Sequence, residues 1–410
     1  MIKAYTAAIR LYGVGIKLAQ PFSAKASKWV EGRRRLFSNL EEAITDKDNW
    51  IWIHVASLGE FEQGRPLIEL IRQRHPEAHI LLTFYSPSGY QVRKEYRGAH
   101  YVSYMPLDTP ENAIRFLDIV KPSLVIFVKY EIWLHHFREM ADRNIPVLLI
   151  SAQFRSNQLY FRKIGKMFLK VLEGLQQIFV VDLGSRDQLT SCKFENVVLG
   201  GDTRIDRVMQ IAAHHRNFDY LKDVLQTDQI LVAGSTWPDD IRHLLPLINN
   251  EGLKCVIAPH ENDESKLLLL EKMIEVETVR LSRIAPSNPG NASVVIVDTM
   301  GDLADIYHVS SVAYVGGGFS SGIHNILEPV AYRLPVIIGP NHQRFSEALQ
   351  LIELGVCIIV KTSGDIRVAI EGYNEESQQH HVSELAAKYL EQHAGATERI
   401  YEYIRRERLL

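Results

Sequence analysis

The chain has 410 residues, which at about 150 residues per domain predicts two or three domains. It is 46% hydrophobic and 23% charged, with 25 Gly and 16 Pro, a composition typical of folded globular proteins and not of disordered, collagen-like or low-complexity chains. The formal net charge of −3 argues against a general nucleic-acid-binding protein, so no nucleic-acid partner is expected.

The charge is unevenly divided along the chain. Residues 1–38 contain eight Lys or Arg residues and one Glu, a local charge of +7, so the other 372 residues carry −10. Two interpretations of this segment stay open: a basic amphipathic helix lying on an anionic membrane surface, where each basic residue contributes about 1 kcal/mol, or a solvated helix packed on its own domain. Its apolar residues recur at helical spacing: Ile2, Tyr5, Ile9, Leu11, Tyr12, Ile16, Leu18 and Phe22.

The cysteines and the apolar runs indicate the setting in which the chain works. Cys192, Cys255 and Cys357 are odd in number, far apart and form no Cys-x-x-Cys pair, which fits a reducing cytosol. Arg10 and Lys17 interrupt the N-terminal apolar stretch, so we expect no signal peptide. No run approaches 18 apolar residues, so we expect no membrane-spanning helix.

Short apolar runs alternate with helical patterns, which predicts parallel sheets covered by helices on both faces. The first set of predicted strands is 50–55, 79–84, 123–128, 146–150 and 177–181. The pattern pauses at 200–228, and a second set follows at 230–233, 254–258, 294–297, 312–315 and 336–338. A long helical pattern then runs from 383 to 410.

These patterns predict an α/β protein of two doubly wound, Rossmann-like domains that face a cleft. We place the first domain at 39–205, with residues 1–38 attached to it, and the second at 206–385. The helix at 386–410 could cross back to the first domain. Doubly wound sheets bind ligands outside the carboxyl ends of their strands, so those ends are where functional residues are expected.

Three strand ends in the first domain carry candidate residues. Glu60 follows the first strand at the start of a helix, where unpaired N–H groups favour the anionic form that a general base needs. The same position also suits a carboxylate that only complements the helix dipole. Ser86-Pro87-Ser88-Gly89 could hold an anion or cap a helix. Glu131 follows a buried strand, and a buried carboxylate is costly unless it has a partner or a task.

The second domain has polar groups at four strand ends. Gly316-Gly317-Gly318 ends one strand, and such glycines let a phosphate approach the backbone, although a tight turn without a ligand explains them too. A carboxylate one turn further along the chain could accept hydrogen bonds from a ribose. The other polar strand ends are Ser235-Thr236, Pro259-His260 and Asp298 to Asp302. Together these groups favour a nucleotide site.

Other common chemistries find little support in the sequence. His260-Glu261-Asn262-Asp263-Glu264 has no second His four positions after the first, so no metal site is expected. Neither a Gly-x-Ser-x-Gly elbow nor a P-loop occurs, which argues against hydrolases and P-loop nucleotide-binding proteins.

The ordered set of motifs resembles bacterial 3-deoxy-D-manno-octulosonic acid (Kdo) transferases over nearly the whole chain. The motifs that carry the resemblance are Ala56-Ser57-Leu58-Gly59-Glu60, Ser86-Pro87-Ser88-Gly89, Glu131-Ile132-Trp133, Gly234-Ser235-Thr236, Asp298-Thr299-Met300-Gly301-Asp302-Leu303 and His324-Asn325-Ile326-Leu327-Glu328-Pro329. The resemblance implies a GT-B fold and an inverting, metal-independent transfer of Kdo from CMP-Kdo to the lipid A precursor, lipid IVA. It also implies a peripheral or monotopic location at the cytoplasmic face of the inner membrane.

The resemblance assigns roles residue by residue. Glu60 matches the family's general base, Glu131 its second acidic position, and Arg204 a lysine that stabilises the transition state. CMP-Kdo is then a co-substrate, no cofactor is expected, and the sequence gives no indication of an oligomeric state. The implied donor-binding residues are Ser235, Thr236, Pro259, His260, Met300, Gly301, Asp302, Asn325, Ile326, Leu327 and Glu328. The implied acceptor-binding residues are Ser57, Gly59, Ser86, Ser88 and Gly89.

The sequence departs from the family pattern at two places. Lys129-Tyr130-Glu131 stands where many members have Glu-x-Glu, and Pro259-His260 lacks the arginine of a Pro-Arg-His motif. These changes leave the expected reaction class in place and bear on donor affinity and acceptor choice. Two alternatives to Kdo transfer stay open: another GT-B glycosyltransferase with a different nucleotide-sugar donor, or a non-catalytic protein that binds a nucleotide sugar or a lipid.

Overall fold

A computed structural model describes residues 1–45, 49–129, 131–162 and 165–410. The chain divides into two compact units, one formed by residues 1–207 and 394–410 and the other by residues 208–393.

The first unit is built on a parallel sheet of seven strands. They are β1 (Trp50–Val55), β2 (His79–Phe84), β3 (Tyr101–Tyr104), β4 (Pro122–Val128), β5 (Val147–Ala152), β6 (Gln177–Val180) and β7 (Val197–Leu199). Their order is β3-β2-β1-β4-β5-β6-β7. The order reverses between β1 and β4, so the carboxyl ends of these two strands flank the switch point at which doubly wound sheets bind ligands.

Helices cover both faces of this sheet. They are α1 (Ile2–Ala19), α2 (Ala24–Arg33), α3 (Leu36–Ala43), α4 (Leu58–Arg74), α5 (Pro87–Arg93), α6 (Pro110–Val120), α7 (Leu134–Asp142), α8 (Lys166–Leu172) and α9 (Leu183–Ser191), followed by α10 (Thr203–Ala213), which contains the boundary with the second unit. Strand β1 shows why both faces are covered, because all six of its residues are buried. Trp52 packs with Phe116 on one face, and Ile53 packs with Phe61 on the other.

The second unit repeats this architecture. Its strands are β8 (Leu231–Thr236), β9 (Cys255–Pro259), β10 (Thr278–Arg280), β11 (Val294–Ile296), β12 (Val312–Val315), β13 (Val336–Ile338) and β14 (Cys357–Ile359), in the parallel order β10-β11-β9-β8-β12-β13-β14. Its helices are α11 (Tyr220–Leu225), α12 (Pro238–Glu251), α13 (Glu264–Met273), α14 (Leu303–Ile306), α15 (Leu327–Ala331), α16 (Ser346–Glu353), α17 (Ser363–Tyr373) and α18 (Glu376–His393). The prediction of two doubly wound α/β domains is confirmed.

The single helical pattern predicted from 383 to 410 is wrong, because α18 ends at His393 and a separate helix α19 (Ala396–Arg406) follows. Gly395 separates them with a φ of 81°, a backbone conformation that favours glycine. The Asp206 carboxylate accepts hydrogen bonds of 2.6 Å from the backbone N–H groups of Gly395 and Thr397, which fixes the start of α19. Ile400 of α19 is buried in the core of the first unit.

The N-terminal segment combines a packed face with an exposed apolar stripe. Tyr5 donates a hydrogen bond of 2.6 Å to Asp108, and Trp29 and Leu36 are buried, so the segment is part of the first unit. Among the helices of the described residues, none is both long enough and apolar enough to span a bilayer. The exposed stripe consists of Leu11, Val14, Leu18 and Phe22, with exposures from 53% to 90%.

Candidate active site

Glu60 lies where β1 passes into α4. Ser57 is the N-cap of α4, and its side chain accepts a hydrogen bond from the Glu60 backbone N–H, so the helix starts with Glu60 in its first turn. The Glu60 side chain turns back toward the strand end, where Oε2 accepts a 2.5 Å hydrogen bond from the Ala56 backbone N–H. The residue is 7% exposed. The predicted base is therefore buried with one carboxylate oxygen fixed.

The electrostatics around Glu60 involve two neighbours at the end of β4. Burial raises the pKa of Glu60, although the Ala56 N–H and the charge of Lys129 oppose the rise. Burial and the negative charge of Glu60 raise the pKa of Glu131 to about 7, again against the opposing charge of Lys129. The structure thus brings the two predicted acids into one electrostatic cluster around a lysine. Tyr130, the middle residue of this motif, lies outside the described residues.

The predicted acceptor loop lies beside the Glu60 loop. The Ser86 backbone N–H donates a 2.8 Å hydrogen bond to the Ala56 carbonyl, and the hydroxyls of Ser86 and Ser88 are 2.8 Å apart. Packing explains Gly89, because a Cβ there would lie 2.7 Å from the Phe84 ring. It does not explain Gly59, where a Cβ would meet no atom within 4 Å. The space at Gly59 is therefore open to a ligand.

Arg204 is held by Asp202. Its Nε and Nη2 donate hydrogen bonds of 2.8 and 2.6 Å to Asp202 Oδ2, and its backbone N–H donates to Oδ1. Burial opposes ionisation of Asp202, but the charge and hydrogen bonds of Arg204 together with the hydrogen bond from Gln63 outweigh it and bring the pKa of this carboxyl below its ordinary value. Gln63 of α4 also donates to Asp202, so the loop that carries Arg204 is tied to the helix that carries Glu60.

Arg33 is a site neighbour that the sequence reasoning missed. Its guanidinium lies 4.0, 4.5 and 5.0 Å from the ring centroids of Trp29, Tyr104 and Tyr85, respectively. Its Nη2 donates a 2.9 Å hydrogen bond to the Tyr85 carbonyl, directly before Ser86, and its Nε donates to the Met105 carbonyl. Burial lowers the pKa of Arg33 to about 10. The N-terminal segment therefore supports the predicted acceptor loop.

The glycine turn after β12 is required by packing in the second unit. A Cβ on Gly316 would lie 2.4 Å from the Ser235 carbonyl oxygen, and one on Gly318 would lie 2.6 Å from the Gly339 backbone. Gly317 has a φ of 90°. The neighbouring Thr236 Oγ1 is buried without a hydrogen-bond partner in the described part of the chain, so this strand end retains an unused polar atom.

The other predicted donor-binding residues lie in the segments that follow β11 and β12 in the second unit. Asp302 forms a 2.6 Å ion pair with Arg216, whose Nη2 also donates to the Gly301 carbonyl. Met300 beside them is 85% exposed. The side-chain amide of Asn325 donates a 2.9 Å hydrogen bond to Glu328 Oε1. Two acidic side chains are therefore held in defined positions by polar partners.

Three further residues of the second unit were missed. Trp237 and His324 stack with His260, and the Trp237 indole N–H donates a 2.9 Å hydrogen bond to His324 Nε2. Asp240 accepts from the backbone N–H groups of Trp237 and Gly317, both at 2.8 Å. An acidic residue in the first turn after Pro238 was the available signal for Asp240. Trp237 directly follows the predicted Ser235-Thr236 pair, and His324 directly precedes the predicted stretch from Asn325 to Glu328.

Comparisons with known proteins identify similar chains. The family model of 3-deoxy-D-manno-octulosonic-acid transferases matches residues 30–207. The 3-deoxy-D-manno-octulosonic acid transferase of Haemophilus influenzae is 26% identical over 374 residues, which cover 87% of this chain and 86% of the relative. The enzyme of the same name from Chlamydophila psittaci is 25% identical over 328 residues, covering 76% and 75% of the two chains.

A solved structure is similar in fold over most of the chain. The UDP-GlcNAc 2-epimerase from Neisseria meningitidis aligns with a TM-score of 0.59 at 16% identity, covering 87% of this chain and 100% of that one. At this identity the likeness concerns the fold alone. Together with the two doubly wound sheets, it confirms the predicted GT-B fold class.

Proposed function

We propose that this chain is a member of the Kdo transferase family of glycosyltransferases, whose model matches residues 30–207 and whose Haemophilus influenzae member is similar to it, and that it transfers Kdo from CMP-Kdo to the lipid A precursor lipid IVA. The transfer is a step of lipopolysaccharide biosynthesis. The observation that carries the proposal is the buried Glu60 carboxylate at the switch point of the first sheet, with one oxygen fixed by the Ala56 N–H.

Glu60 acts as the general base. Its raised pKa makes it more basic than an ordinary carboxylate, which favours removal of a proton from an acceptor hydroxyl. The hydroxyl oxygen forms a bond to the anomeric carbon of Kdo as the bond from that carbon to the CMP phosphate oxygen breaks. The proton passes to Glu60 and the electron pair leaves with CMP. Attack from the face opposite the leaving group inverts the configuration at the anomeric carbon.

Glu131 and Lys129 adjust this base. The negative charge of Glu60 disfavours loss of the proton from Glu131, and the positive charge of Lys129 offsets part of the charge of both acids. The open space at Gly59 and the hydroxyls of Ser57, Ser86 and Ser88 suit binding of the acceptor sugar. Gly89 serves the same loop by packing on Phe84.

The second unit binds the donor. Glu328 accepts from the ribose hydroxyls, held by Asn325, and the strand ends at Thr236 and His260 bind the nucleotide. The remaining proposed donor contacts are Ser235, Pro259, Met300, Gly301, Asp302, Ile326 and Leu327. One of the two sequence departures acts here, because Pro259-His260 without arginine leaves imidazole and backbone donors to meet the phosphate.

The reaction needs no metal ion in this proposal. CMP leaves with its own phosphate, and the positive charge of Arg204, oriented by Asp202, stabilises the negative charge that gathers in the transition state.

The chain docks on the cytoplasmic face of the inner membrane through its N-terminal segment. Leu11, Val14, Leu18 and Phe22 recur at helical spacing and are exposed, which suits insertion below the headgroups. A groove of about 820 Å³ adjoins α1, and its lining combines apolar side chains with the cations of Lys3, Arg10 and Arg138 and the carboxylates of Glu139 and Asp142. Apolar area and positive charge together favour an anionic lipid surface.

Point substitutions test the membrane proposal, because removing residues 1–38 would also remove the buried Trp29 and Leu36. We expect a Leu18→Ser, Phe22→Ser double variant to lose most flotation with vesicles that contain anionic phosphatidylglycerol. Val368→Ser, at a residue 64% exposed in the second unit, is the matched control and should float normally. Unchanged flotation of the double variant would assign membrane docking to another surface.

One assay tests the proposed reaction. The purified chain is incubated with CMP-Kdo and tetraacylated lipid A precursor, with and without EDTA, and the masses of the lipid products are measured by mass spectrometry. We expect a mass increase of whole Kdo units that EDTA does not reduce. A donor panel of UDP- and CMP-sugars accompanies it. Preference for another donor would support a different GT-B glycosyltransferase, and tight CMP binding without any product would support a binding protein.

A further inference from the structure

Three aromatic rings from three strand ends form a stack in the second unit. Trp237 follows β8, His260 follows β9, and His324 lies beyond the glycine turn after β12. The ring centroids of Trp237 and His260 are 4.7 Å apart, and those of His260 and His324 are 4.3 Å apart. The neighbouring carboxyl ends of β9, β8 and β12 thus place two imidazoles and one indole together.

The hydrogen bond within the stack determines which nitrogen of His324 carries a proton. An indole N–H can only donate, so His324 Nε2, 2.9 Å from Trp237 Nε1, must accept. A neutral imidazole that accepts at Nε2 carries its hydrogen on Nδ1. Burial and the adjacent His260 lower the pKa of His324 to about 4, so the ring is neutral at physiological pH.

Trp237 is itself fixed in place. Its backbone N–H donates a 2.8 Å hydrogen bond to Asp240 Oδ2, which also accepts from the Gly317 N–H, and Tyr314 donates to Oδ1. Asp240 is fully buried. The Asp240 carboxylate therefore ties Trp237 to the glycine turn. His324 adjoins the same turn, because its backbone N–H donates a hydrogen bond to the Gly316 carbonyl.

We propose that Trp237 is a positioning residue that holds His324 as a neutral Nδ1–H donor for the phosphate of the nucleotide. The inference rests on the proposed donor, CMP-Kdo, and adds a contact to that site. The ring is half-buried, and its Nδ1 makes no hydrogen bond with another described residue, while Nε2 is occupied by Trp237. A phosphate oxygen is an acceptor that Nδ1–H can bind without displacing any protein partner.

The first test reads the ring directly in the full chain. In spectra of the ¹⁵N-histidine-labelled protein, with the His324 signals assigned by their loss in His324→Asn, we expect the Nδ1–H tautomer from pH 5.5 to 8.5. Trp237→Phe keeps a ring in the stack but lacks the indole N–H. It should shift the tautomer toward Nε2–H and let His324 gain a proton at higher pH than in the wild type. An Nε2–H or charged ring in the wild type at pH 7 would overturn the inference.

The second test measures binding of CMP and of cytidine by calorimetry. A charge-assisted hydrogen bond is worth about 10- to 100-fold in affinity. We therefore expect His324→Phe to weaken CMP binding by that factor and cytidine binding much less, while His324→Asn, whose amide retains a donor near Nδ1, keeps most of the affinity. His243→Gln, which alters an imidazole stacked on Phe319 elsewhere in the unit, should bind CMP normally.

The pH dependence separates positioning from a merely structural role. His260 is the titratable group stacked on His324, and Asp240 lies behind Trp237. We expect CMP affinity of Trp237→Phe to be reduced at pH 8 and to recover as the pH falls and protonation restores the Nδ1–H. A loss of affinity equal at every pH would contradict the role of Trp237.

Wild-type CMP affinity in His324→Phe would overturn this inference alone, whereas no CMP binding to the wild type would overturn the donor proposal as well.

Discussion

The backbone N–H of Ala56 donates a 2.5 Å hydrogen bond to Oε2 of Glu60. The residue directly after β1 thus holds the carboxylate of a residue in the first turn of α4. This contact favours the ionised carboxylate, whereas burial disfavours it, and burial is the larger effect on the pKa. The carboxylate is therefore fixed in position and more basic than a solvated one, which are the two properties that a general base requires.

Glu131 should destabilise the fold when it is ionised. Burial and Glu60 raise its pKa from 4.5 to about 7, so the folded chain binds its proton more tightly than the unfolded chain and loses stability as the pH rises through this interval. We expect Glu131→Gln to be more stable than the wild type at pH 8 by on the order of 1–3 kcal/mol, with the difference shrinking toward zero at pH 4. Urea unfolding across this pH range measures it. A difference independent of pH would contradict the assignment.

Lys129 should control the acid limb of the activity profile. Its charge lowers the pKa of both Glu60 and Glu131, so Lys129→Gln should move the loss of kcat/KM at low pH to a higher pH. Lys121→Gln is the matched control, since Lys121 directly precedes β4 and also has a positive φ, 44° against 68° for Lys129. Identical pH profiles for Lys129→Gln and the wild type would rule out this electrostatic role.

Gly59→Ala should separate acceptor binding from folding. A Cβ at this helical position meets no atom within 4 Å, and alanine favours a helix over glycine by roughly 0.5–1 kcal/mol, so stability should hold or rise slightly. We expect the KM for the lipid acceptor to increase at least several-fold because the methyl group occupies acceptor space. Gly372→Ala, also on a helix with open space, should change neither property. A normal acceptor KM would remove Gly59 from the acceptor site.

Arg33 should link the N-terminal segment to the acceptor loop. Arg33→Met loses the hydrogen bonds to the carbonyls of Tyr85 and Met105 and should destabilise the chain by about 2–3 kcal/mol. Because Tyr85 directly precedes Ser86, we also expect a higher KM for the acceptor with unchanged CMP affinity. Thermal unfolding, acceptor kinetics and calorimetry measure these three quantities, and the exposed Arg34→Met serves as control. A rise in the Kd for CMP would show a wider disturbance.

The sequence predicted the central strands and missed the edges of both sheets. All ten predicted strands occur, and the four missed ones, β3, β7, β10 and β14, are the outermost strands of their sheets. Central parallel strands are buried on both faces and read as continuous apolar runs, whereas the edge strands β7, β10 and β14 each have at most one buried residue. Val198 and Leu199 of β7 are exposed, so burial does not mark that strand.

The positions of candidate site residues were predictable where a single residue follows a strand. Glu60 and Glu131 could be found because the end of a buried strand is a position that sequence patterns locate. The sequence could not reveal the roles of Arg33 and Asp240 or the contact between Trp237 and His324. Each depends on a hydrogen bond between residues 52 to 87 positions apart in the chain or on the orientation of a ring. Those relationships form only when the strands are placed side by side.

Glu60→Gln in the full chain tests the central claim most directly. The amide retains the size of the side chain but cannot accept the proton, so we predict that product formation from CMP-Kdo and the lipid A precursor falls by at least a hundredfold, on the order of the loss of a general base. CMP affinity should be unchanged. Glu62→Gln, two residues further along α4 at an ion pair with Arg93, is the control and should retain activity. Near-normal turnover by Glu60→Gln would contradict the account.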